Sequence, residues 1–405
     1  MELNIPEGIN YECTGCGKCC SGWSVPLTQE DYERIASIDW GALSPDLKDK
    51  KLFRALKTHE KLNTPYTHAI NPESTGQCPF LKNNLCFIHS QFGASVKPAI
   101  CQLFPYSFNE TPEGVFATVS FISRGAIFNA GRSLIEQREY LKTKYAEFQK
   151  LFPNHHPNWS QLKLSSNVPL SWSEYSEIEK PLLALMKDPA KSIEDKFMEG
   201  SRYLDSVLHE RLTKQEKVDG RPGCKSTYVG KPKQTYLNRW DKILFLTLYK
   251  KYFPMDKQRA KGYGQLNLNA ASFIKGSFNT SQYDKLIVAA DDLAWSGVDD
   301  QVKDLINRFF YSHVFAKLYF GAGFGQLSLI AGFNHLALTV ALLKLKVRQN
   351  AKCRLQSKIN LDDAVSAVVQ LEKSLGELRI SPYGAAILEL LLGRQQRIER
   401  ILSLS

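Results

Sequence analysis

The sequence predicts a mainly α-helical protein in which a small irregular α+β cysteine module precedes a multi-helix body. Two observations support this fold class. Seven of the nine cysteines in the 405-residue chain lie between residues 13 and 101, among glycines, prolines and short strand-like runs. From about residue 131 onward, apolar residues recur at helical spacing in long segments. Because 43% of the residues are apolar, the chain can bury a substantial core.

The cysteine module begins with a tight loop, because residues 11–22 contain four cysteines and three glycines. Thr28 is the expected N-cap of a short helix that ends near residue 38. Ser44-Pro45 is expected to open a second helix that runs to about His59.

The second half of the module predicts two strand pairs and a short helix. Residues 78–88 indicate a β-hairpin with Asn83-Asn84 at its turn, since asparagine tolerates positive φ angles. Lys97-Pro98 then begins a short helix that includes Cys101. A further strand pair is expected at residues 104–108 and 115–122, around a Pro/Gly turn.

The helical body predicts a series of amphipathic helices. The first carries Leu134, Tyr140 and Leu151, the next is capped by Ser173, and others lie at about 191–212, 236–253, 300–320, 325–349, 360–375 and 382–402. We therefore divide the chain into a cysteine module at 1–130, a helical region at 131–219, a linker or long loop at 220–234 that is rich in Gly, Pro and Lys, and a helical region at 235–405.

The amino terminus and one apolar stretch bear on localisation. The first residues have no basic segment followed by an apolar one, so a secretory signal is not expected and the predicted compartment is the cytoplasm. Residues 318–343 carry no charge, but Gln326, Asn334 and His335 interrupt them. We expect a buried core helix there rather than a membrane span.

The clustered cysteines predict a metal site, because thiols stay reduced in the cytoplasm and so favour metal ligation over disulfides. The candidate ligands are Cys13, Cys16, Cys19, Cys20, Cys78, Cys86 and Cys101. A C-x-x-C turn lets two thiolates converge on one metal while Gly15 and Gly17 allow the turn to close. The remaining cysteines, Cys224 and Cys353, stand alone and are interpreted as incidental thiols.

The metal itself has two candidates. Three cysteines at successive x2 spacing match the first ligands of a bacterial ferredoxin-type site, whose remote cysteine precedes a proline, as Cys78 does here. A [4Fe–4S] cluster is therefore the preferred cofactor. Zinc is the alternative, because C-x-x-C pairs are common in four-cysteine zinc sites. His89 could complete a mixed site, although a surface role is favoured.

The ordered cysteine blocks resemble the zinc- or iron-chelating cysteine-cluster family known by its CxxCxxCC motif. The resemblance covers about the first 125 residues and rests on residues 13–20, Cys78-Pro79, Cys86 to His89 and the Lys97-Pro98-x-x-Cys101 block. More distantly, the chain is similar to flagellin lysine N-methylase, through Trp172-Ser-Glu-Tyr175 and the aromatic-rich helix from Asn307 to Tyr319.

The resemblance implies two classes of function. As an enzyme, the protein would be an iron–sulfur oxidoreductase or a protein-lysine N-methyltransferase that uses S-adenosylmethionine on a protein substrate docked by the body. As a non-enzymatic module, it would use zinc to staple a small fold while its basic helices bind a partner. The net positive charge of the body is compatible with this non-enzymatic role, since residues 131–405 hold 41 Lys/Arg and 28 Asp/Glu, and a basic surface attracts acidic partners.

Two further signals are interpreted as structural. Gly321-Ala-Gly323-Phe-Gly325 could cradle a nucleotide or S-adenosylmethionine, but no βαβ series surrounds it, and a helix–helix turn is preferred. Lys344 to Lys358 form a basic run without acids, which could bind nucleic acid. We favour a solvated helix end, because no aromatic residues are interleaved.

Overall fold

The computed structural model contains two compact units, Met1–His156 and Pro157–Ser405. The described residues are 2–21, 23–58, 64–219, 237–254, 266–277, 281–282, 285, 293, 295, 297–355 and 358–403; the side chains of Cys19 and of 215–219 lie outside this description. The predicted linker at 220–234 also falls outside the described residues. The mainly α-helical fold class is confirmed. The module boundary at residue 130 stays a prediction.

The first unit consists of short strands and mostly short helices. In chain order its elements are β1 (Leu3–Asn4), β2 (Pro26–Leu27), α1 (Gln29–Ala36), α2 (Trp40–Leu43), β3 (Phe53–Ala55), β4 (His68–Ile70), β5 (Leu81–Lys82), β6 (Leu85–Cys86), α3 (Phe87–Phe92), α4 (Ala99–Leu103), β7 (Tyr106–Thr111), β8 (Gly114–Val119), α5 (Arg124–Ile127) and α6 (Arg138–Leu151). A 3₁₀ turn at Lys18–Cys20 lies in the first cysteine loop.

The strands of this unit form small sheets. One has the order β1-β8-β7, with β7 antiparallel to β8 and β1 parallel to it, and a second has the order β2-β4-β3. The β5-β6 hairpin is separate from both. Both strand pairs predicted from the sequence are confirmed, with their ends shifted by a few residues.

Helix α1 confirms the predicted cap. The Thr28 hydroxyl accepts a hydrogen bond from the Asp31 amide, and the Asp31 carboxylate accepts one from the Thr28 amide. The helix predicted from Ser44 to about His59 is wrong. A 3₁₀ turn forms at Pro45–Leu47, Asp49 takes a left-handed φ of 62°, and the chain then enters β3, which pairs with β4. His59 itself lies outside the described residues.

A hydrophobic core holds α1, α2 and the hairpin of the first unit together. Its buried members are Val25, Leu27, Ile35, Trp40, Leu47, Leu52, Ile70, Phe80 and Ile88. Three candidate ligands, Cys78, Cys86 and Cys101, are partly buried and pack against this core. The core therefore places thiols from distant parts of the sequence on one body.

The second unit is dominated by helices. Its elements are β9 (Lys163–Ser165), β10 (Val168–Pro169), α7 (Trp172–Lys187), α8 (Ile193–Asp219), α9 (Arg239–Tyr252), β11 (Leu266–Leu268), α10 (Ala270–Ser277), α11 (Asp300–Phe315), α12 (Leu329–Cys353), α13 (Leu361–Glu377), β12 (Leu378–Ile380), α14 (Pro382–Leu392) and α15 (Gln395–Leu402). Helix α7 is capped by Ser171 with Glu174, not by Ser173. The helix predicted at 382–402 is two helices that meet at Gly393-Arg394.

Helix α12 is the buried helix that the uncharged stretch predicts. Its length and composition would allow it to cross a membrane, but 94% of its most apolar window is buried inside the protein. Polar side chains within it have partners on other helices: Ser201 donates to the Asn334 side chain at 2.7 Å, and the Tyr252 hydroxyl and His335 form a hydrogen bond. Helices α8, α13 and α15 pack against it.

The glycine-rich segment after α11 is a helix–helix turn, as predicted. Helix α11 ends at Phe315, Lys317 takes a left-handed φ of 56°, and a 3₁₀ turn at Gly321–Gly323 leads towards α12. A Cβ atom on Gly323 would lie 1.8 Å from the Lys317 carbonyl oxygen. Close backbone packing therefore explains this glycine without a bound nucleotide.

We expect Gly323→Ala to lower the free energy of unfolding by about 3 kcal/mol, because the methyl group would overlap a backbone oxygen that cannot rotate away. Gly376→Ala is the matched control, since a Cβ there meets no atom within 4 Å and the residue lies in α13. The control should raise stability by up to ~1 kcal/mol. Urea denaturation of both variants checks this, and equal stabilities would contradict the packing explanation.

Stability should also fall in acid because of His335. Burial lowers the pKa of His335 from 6.5 to about 3, so the folded protein keeps it neutral while the unfolded chain protonates it. As the pH falls from about 6.5 towards 3, this one group should remove about 1.4 kcal/mol per pH unit. The measurement is the change in the free energy of unfolding between pH 7 and pH 5, in the unmodified protein and in His335→Gln. An identical pH dependence in the variant would refute the assignment.

Candidate metal centre

The first cysteine loop is folded by two glycines. Gly15 and Gly17 have left-handed φ angles of 61° and 67°, and the Cys20 amide donates to the Gly17 carbonyl at 3.0 Å. A Cβ on Gly17 would lie 3.1 Å from two methyl carbons of Leu81, and one on Gly15 would lie 3.3 Å from Leu85. Both the backbone angles and the close approach to the hairpin favour glycine at these positions.

The hairpin brings the next two cysteines to this loop. Leu81 pairs with Cys86 across β5 and β6, and Asn83 and Asn84 take φ angles of 50° and 63° at the turn. Cys78 precedes the hairpin, and its amide donates to the Cys20 carbonyl at 3.2 Å. An antiparallel bridge between Ser21 and Gln77 extends this contact. The double cysteine and the hairpin are thus joined through the backbone.

Cys101 reaches the same region from α4. It shares the hydrophobic core with Cys78 and Cys86, and the three thiols lie within electrostatic reach of one another. Burial raises the pKa of the Cys78 thiol to about 12, although the Phe80 backbone N–H donates to its sulfur and opposes that shift. Burial also raises the pKa of Cys101, which Lys97 lowers and the other two thiols raise. Without metal, Cys78 and Cys101 are therefore neutral thiols at pH 7.

The remaining predicted ligands differ in their surroundings. Cys16 and Cys20 are partly exposed, while Cys13 is exposed and lies within electrostatic reach of Tyr106, whose pKa is raised mainly by burial. The Cys19 side chain lies outside the described residues. His89 is exposed on α3, and no described contact joins it to the thiols. Cys353 is an exposed thiol in the second unit, and Cys224 is not described.

The structure also contains two features that the sequence does not predict. The Phe80 amide points at the Cys78 sulfur, an arrangement that stabilises metal-bound thiolates. The Tyr66 hydroxyl is buried and has no hydrogen-bond partner among the described residues. Its pKa is raised by burial, then by Asp31 and Cys101, which places it near the Cys101 thiol. The Tyr66–Cys101 proximity depends on tertiary packing, so spacing alone gave no signal for it, whereas the Phe80–Cys78 contact is local, between residues two positions apart.

The donor chemistry of this region fits a thiophilic metal. Thiolates are soft ligands that prefer zinc or iron to magnesium or calcium. In the part of the chain that the structure describes, no three Cys, His, Asp or Glu side chains are arranged to hold a metal ion. That search leaves out the Cys19 side chain. The seven-cysteine ligand set therefore stays a prediction, whereas the structure shows that Cys78, Cys86 and Cys101 pack against one core.

Comparison with known proteins agrees with this donor chemistry. Residues 12–121 match the CxxCxxCC family model. Its description is a putative zinc- or iron-chelating domain, and the matched residues contain all seven candidate ligands. The match supports a metal cofactor for this part of the chain.

One relative among curated proteins is an uncharacterized protein of Methanocaldococcus jannaschii. It is 30% identical to the chain over 176 residues, which are 42% of this chain and 56% of that protein. The chain thus spans little more than half the length of this relative. No solved structure matches the chain.

Proposed function

We propose that the first unit holds an iron–sulfur cluster, in the cytoplasm, through thiolates drawn from its seven clustered cysteines. The observation that carries the proposal is the meeting of three chain segments at one place. The Cys78 amide donates a hydrogen bond to the Cys20 carbonyl, and Cys78, Cys86 and Cys101 pack against one core. Cys78, Cys86 and Cys101 would anchor the cluster from the hairpin and α4.

The first cysteine loop would complete the cluster. Cys13, Cys16, Cys19 and Cys20 lie on a short segment whose glycines bring the backbone against the hairpin. A cluster bound there would be close to the surface, since Cys13 is exposed and Cys16 is partly exposed. That position favours electron exchange or chemistry with an external substrate over a purely internal structural role. The cluster would supply redox capacity, and the chain would supply its thiolates and their orientation.

The test is metal and sulfide analysis of protein purified without oxygen. We expect iron and inorganic sulfide in equal amounts, with visible absorption from thiolate-bound iron. Cys101→Ser should lose most of the iron, because it removes a ligand held by the core. Cys353→Ser is the matched control, since that exposed thiol belongs to the second unit and should leave the iron content unchanged.

Three results would reject the iron–sulfur proposal. Protein without iron or zinc would remove the metal centre altogether. Equal loss of iron in Cys101→Ser and Cys353→Ser would mean that the substituted thiols affect the protein generally rather than ligate a cluster. Stoichiometric zinc without sulfide would instead select the second candidate function.

The second candidate is a non-enzymatic zinc-stapled module. The observation that favours it is the small amount of regular structure around the thiols, where β5 and β6 have two residues each. Regions with so little secondary structure are commonly stabilised by a metal. In this case the basic body would bind a partner, and removing zinc would unfold the first unit.

A protein-lysine N-methyltransferase is the finer enzymatic proposal. It is supported by the two segments of the body that resemble flagellin lysine N-methylase, which meet in the second unit. The Lys317 ammonium lies 2.8 Å from the Glu179 carboxylate, and the Tyr175 hydroxyl donates to that carboxylate at 2.6 Å. The resemblance therefore concerns one contiguous region of the fold. S-adenosylmethionine would supply the methyl group.

We expect cluster-replete protein to transfer a methyl group from S-adenosylmethionine to lysines of purified flagellin. Mass spectrometry of the flagellin peptides provides the measurement, and the Cys101→Ser variant, which should lack the cluster, serves as the control. If Cys101→Ser methylated flagellin as well as the unmodified protein does, the activity would not depend on the cluster. Absence of any methylation by protein with a full complement of iron would exclude this activity on flagellin.

A further inference from the structure

Helix α1 carries a buried carboxylate that contacts the start of the Cys101 helix. Asp31 is only 2% exposed. Its two oxygens accept hydrogen bonds from the Ala99 amide at 3.2 and 3.1 Å, although the two residues are 68 positions apart. Ala99 is the first residue of α4, whose third residue is Cys101. The carboxylate therefore caps the segment that presents this thiol.

Arg34 makes a second contact with the same segment. Its guanidinium donates to Asp31 at 2.5 Å and to the Lys97 carbonyl at 3.3 Å. Pro98, between the two contacted residues, has no amide to donate. The backbone of 97–99 is thus held by α1 on both sides of a proline with a fixed φ angle. We call Asp31 and Arg34 together the α1 clamp.

The orientation of α4 depends on contacts of this kind. The helix has five residues, which is too short to be stable without tertiary contacts. Cys101 lies two positions after Ala99, so any displacement of the start of α4 would also displace the Cys101 thiol. The Gln102 side chain also donates to the Lys97 carbonyl at 2.7 Å. This hydrogen bond lies within the 97–102 segment, so it does not attach that segment to α1.

We propose that Asp31 and Arg34 are positioning residues that hold Cys101 ready to bind the metal. This inference rests on the proposed function, because it assumes that Cys101 is a ligand. The clamp does not touch the metal; it fixes where α4 begins. Residues that orient a metal ligand typically change metal affinity by about 10–100-fold when they are substituted.

The test uses cobalt(II) as a spectroscopic probe of thiolate binding, in the full chain prepared without metal. Asp31→Asn should weaken cobalt binding by about 10–100-fold. The substitution replaces one carboxylate oxygen with an NH2 group, which cannot accept a hydrogen bond from the Ala99 amide, and it removes the negative charge that pairs with Arg34. Arg34→Lys is a milder variant that keeps the charge but loses the planar group bridging Asp31 and Lys97. It should weaken binding by a smaller factor, and it keeps the test valid if Asp31→Asn does not fold.

Asp39→Asn is the matched control. Asp39 is also an aspartate that caps a helix in the first unit, accepting from the Ala42 amide at 3.0 Å, but it is exposed and caps α2, which carries no cysteine. Cobalt affinity of this variant should equal that of the unmodified protein. A loss shared by Asp31→Asn and Asp39→Asn would reflect general destabilisation and would overturn the inference.

A double-mutant cycle with Cys101→Ser separates positioning from general structure. If the clamp acts through Cys101, Asp31→Asn should cause no further loss of cobalt affinity when Cys101 is already serine. Additive losses would overturn the inference. Unchanged cobalt binding by Cys101→Ser alone would instead defeat the proposed function, whereas a loss with Cys101→Ser but none with Asp31→Asn would defeat only the clamp.

Discussion

The candidate site depends on one backbone contact, the hydrogen bond from the Cys78 amide to the Cys20 carbonyl. It joins a loop that has almost no regular structure to a hairpin that is anchored in the core. The Ser21–Gln77 bridge extends it, and glycine at position 17 allows the loop to approach Leu81. Together these contacts fix the double cysteine beside Cys78.

Burial disfavours the ionised form of two thiols near this contact, Cys78 and Cys101. Burial keeps Cys78 and Cys101 protonated, so two polar groups lie against an apolar core without charge. A bound metal ion supplies the positive charge that makes buried thiolates favourable. The Phe80 amide already points at one sulfur. Metal ligation would therefore offset the effect of burial on the ionised form of these two thiols.

Local features of the fold could be predicted from the sequence, whereas long-range partners could not. The Asn83-Asn84 turn, the Thr28 cap and the buried helix at Leu329–Cys353 each follow from neighbouring residues, and all three are confirmed. The helix predicted after Ser44 failed because β3 pairs with β4, a tertiary contact that overrides local propensity. The α1 clamp was missed for the same reason, since Asp31 and Ala99 are far apart in the chain. Cysteine spacing identified the thiols, but only the core showed that Cys78, Cys86 and Cys101 share one environment while Cys13 is exposed.

X-ray absorption spectroscopy of the metal-loaded protein tests the central claim most directly, because it reports the atoms bound to the metal. We expect a first coordination shell made of sulfur, with iron–iron scattering if the centre is a cluster. A shell of nitrogen and oxygen atoms alone would contradict it, since the cysteines would then not be ligands.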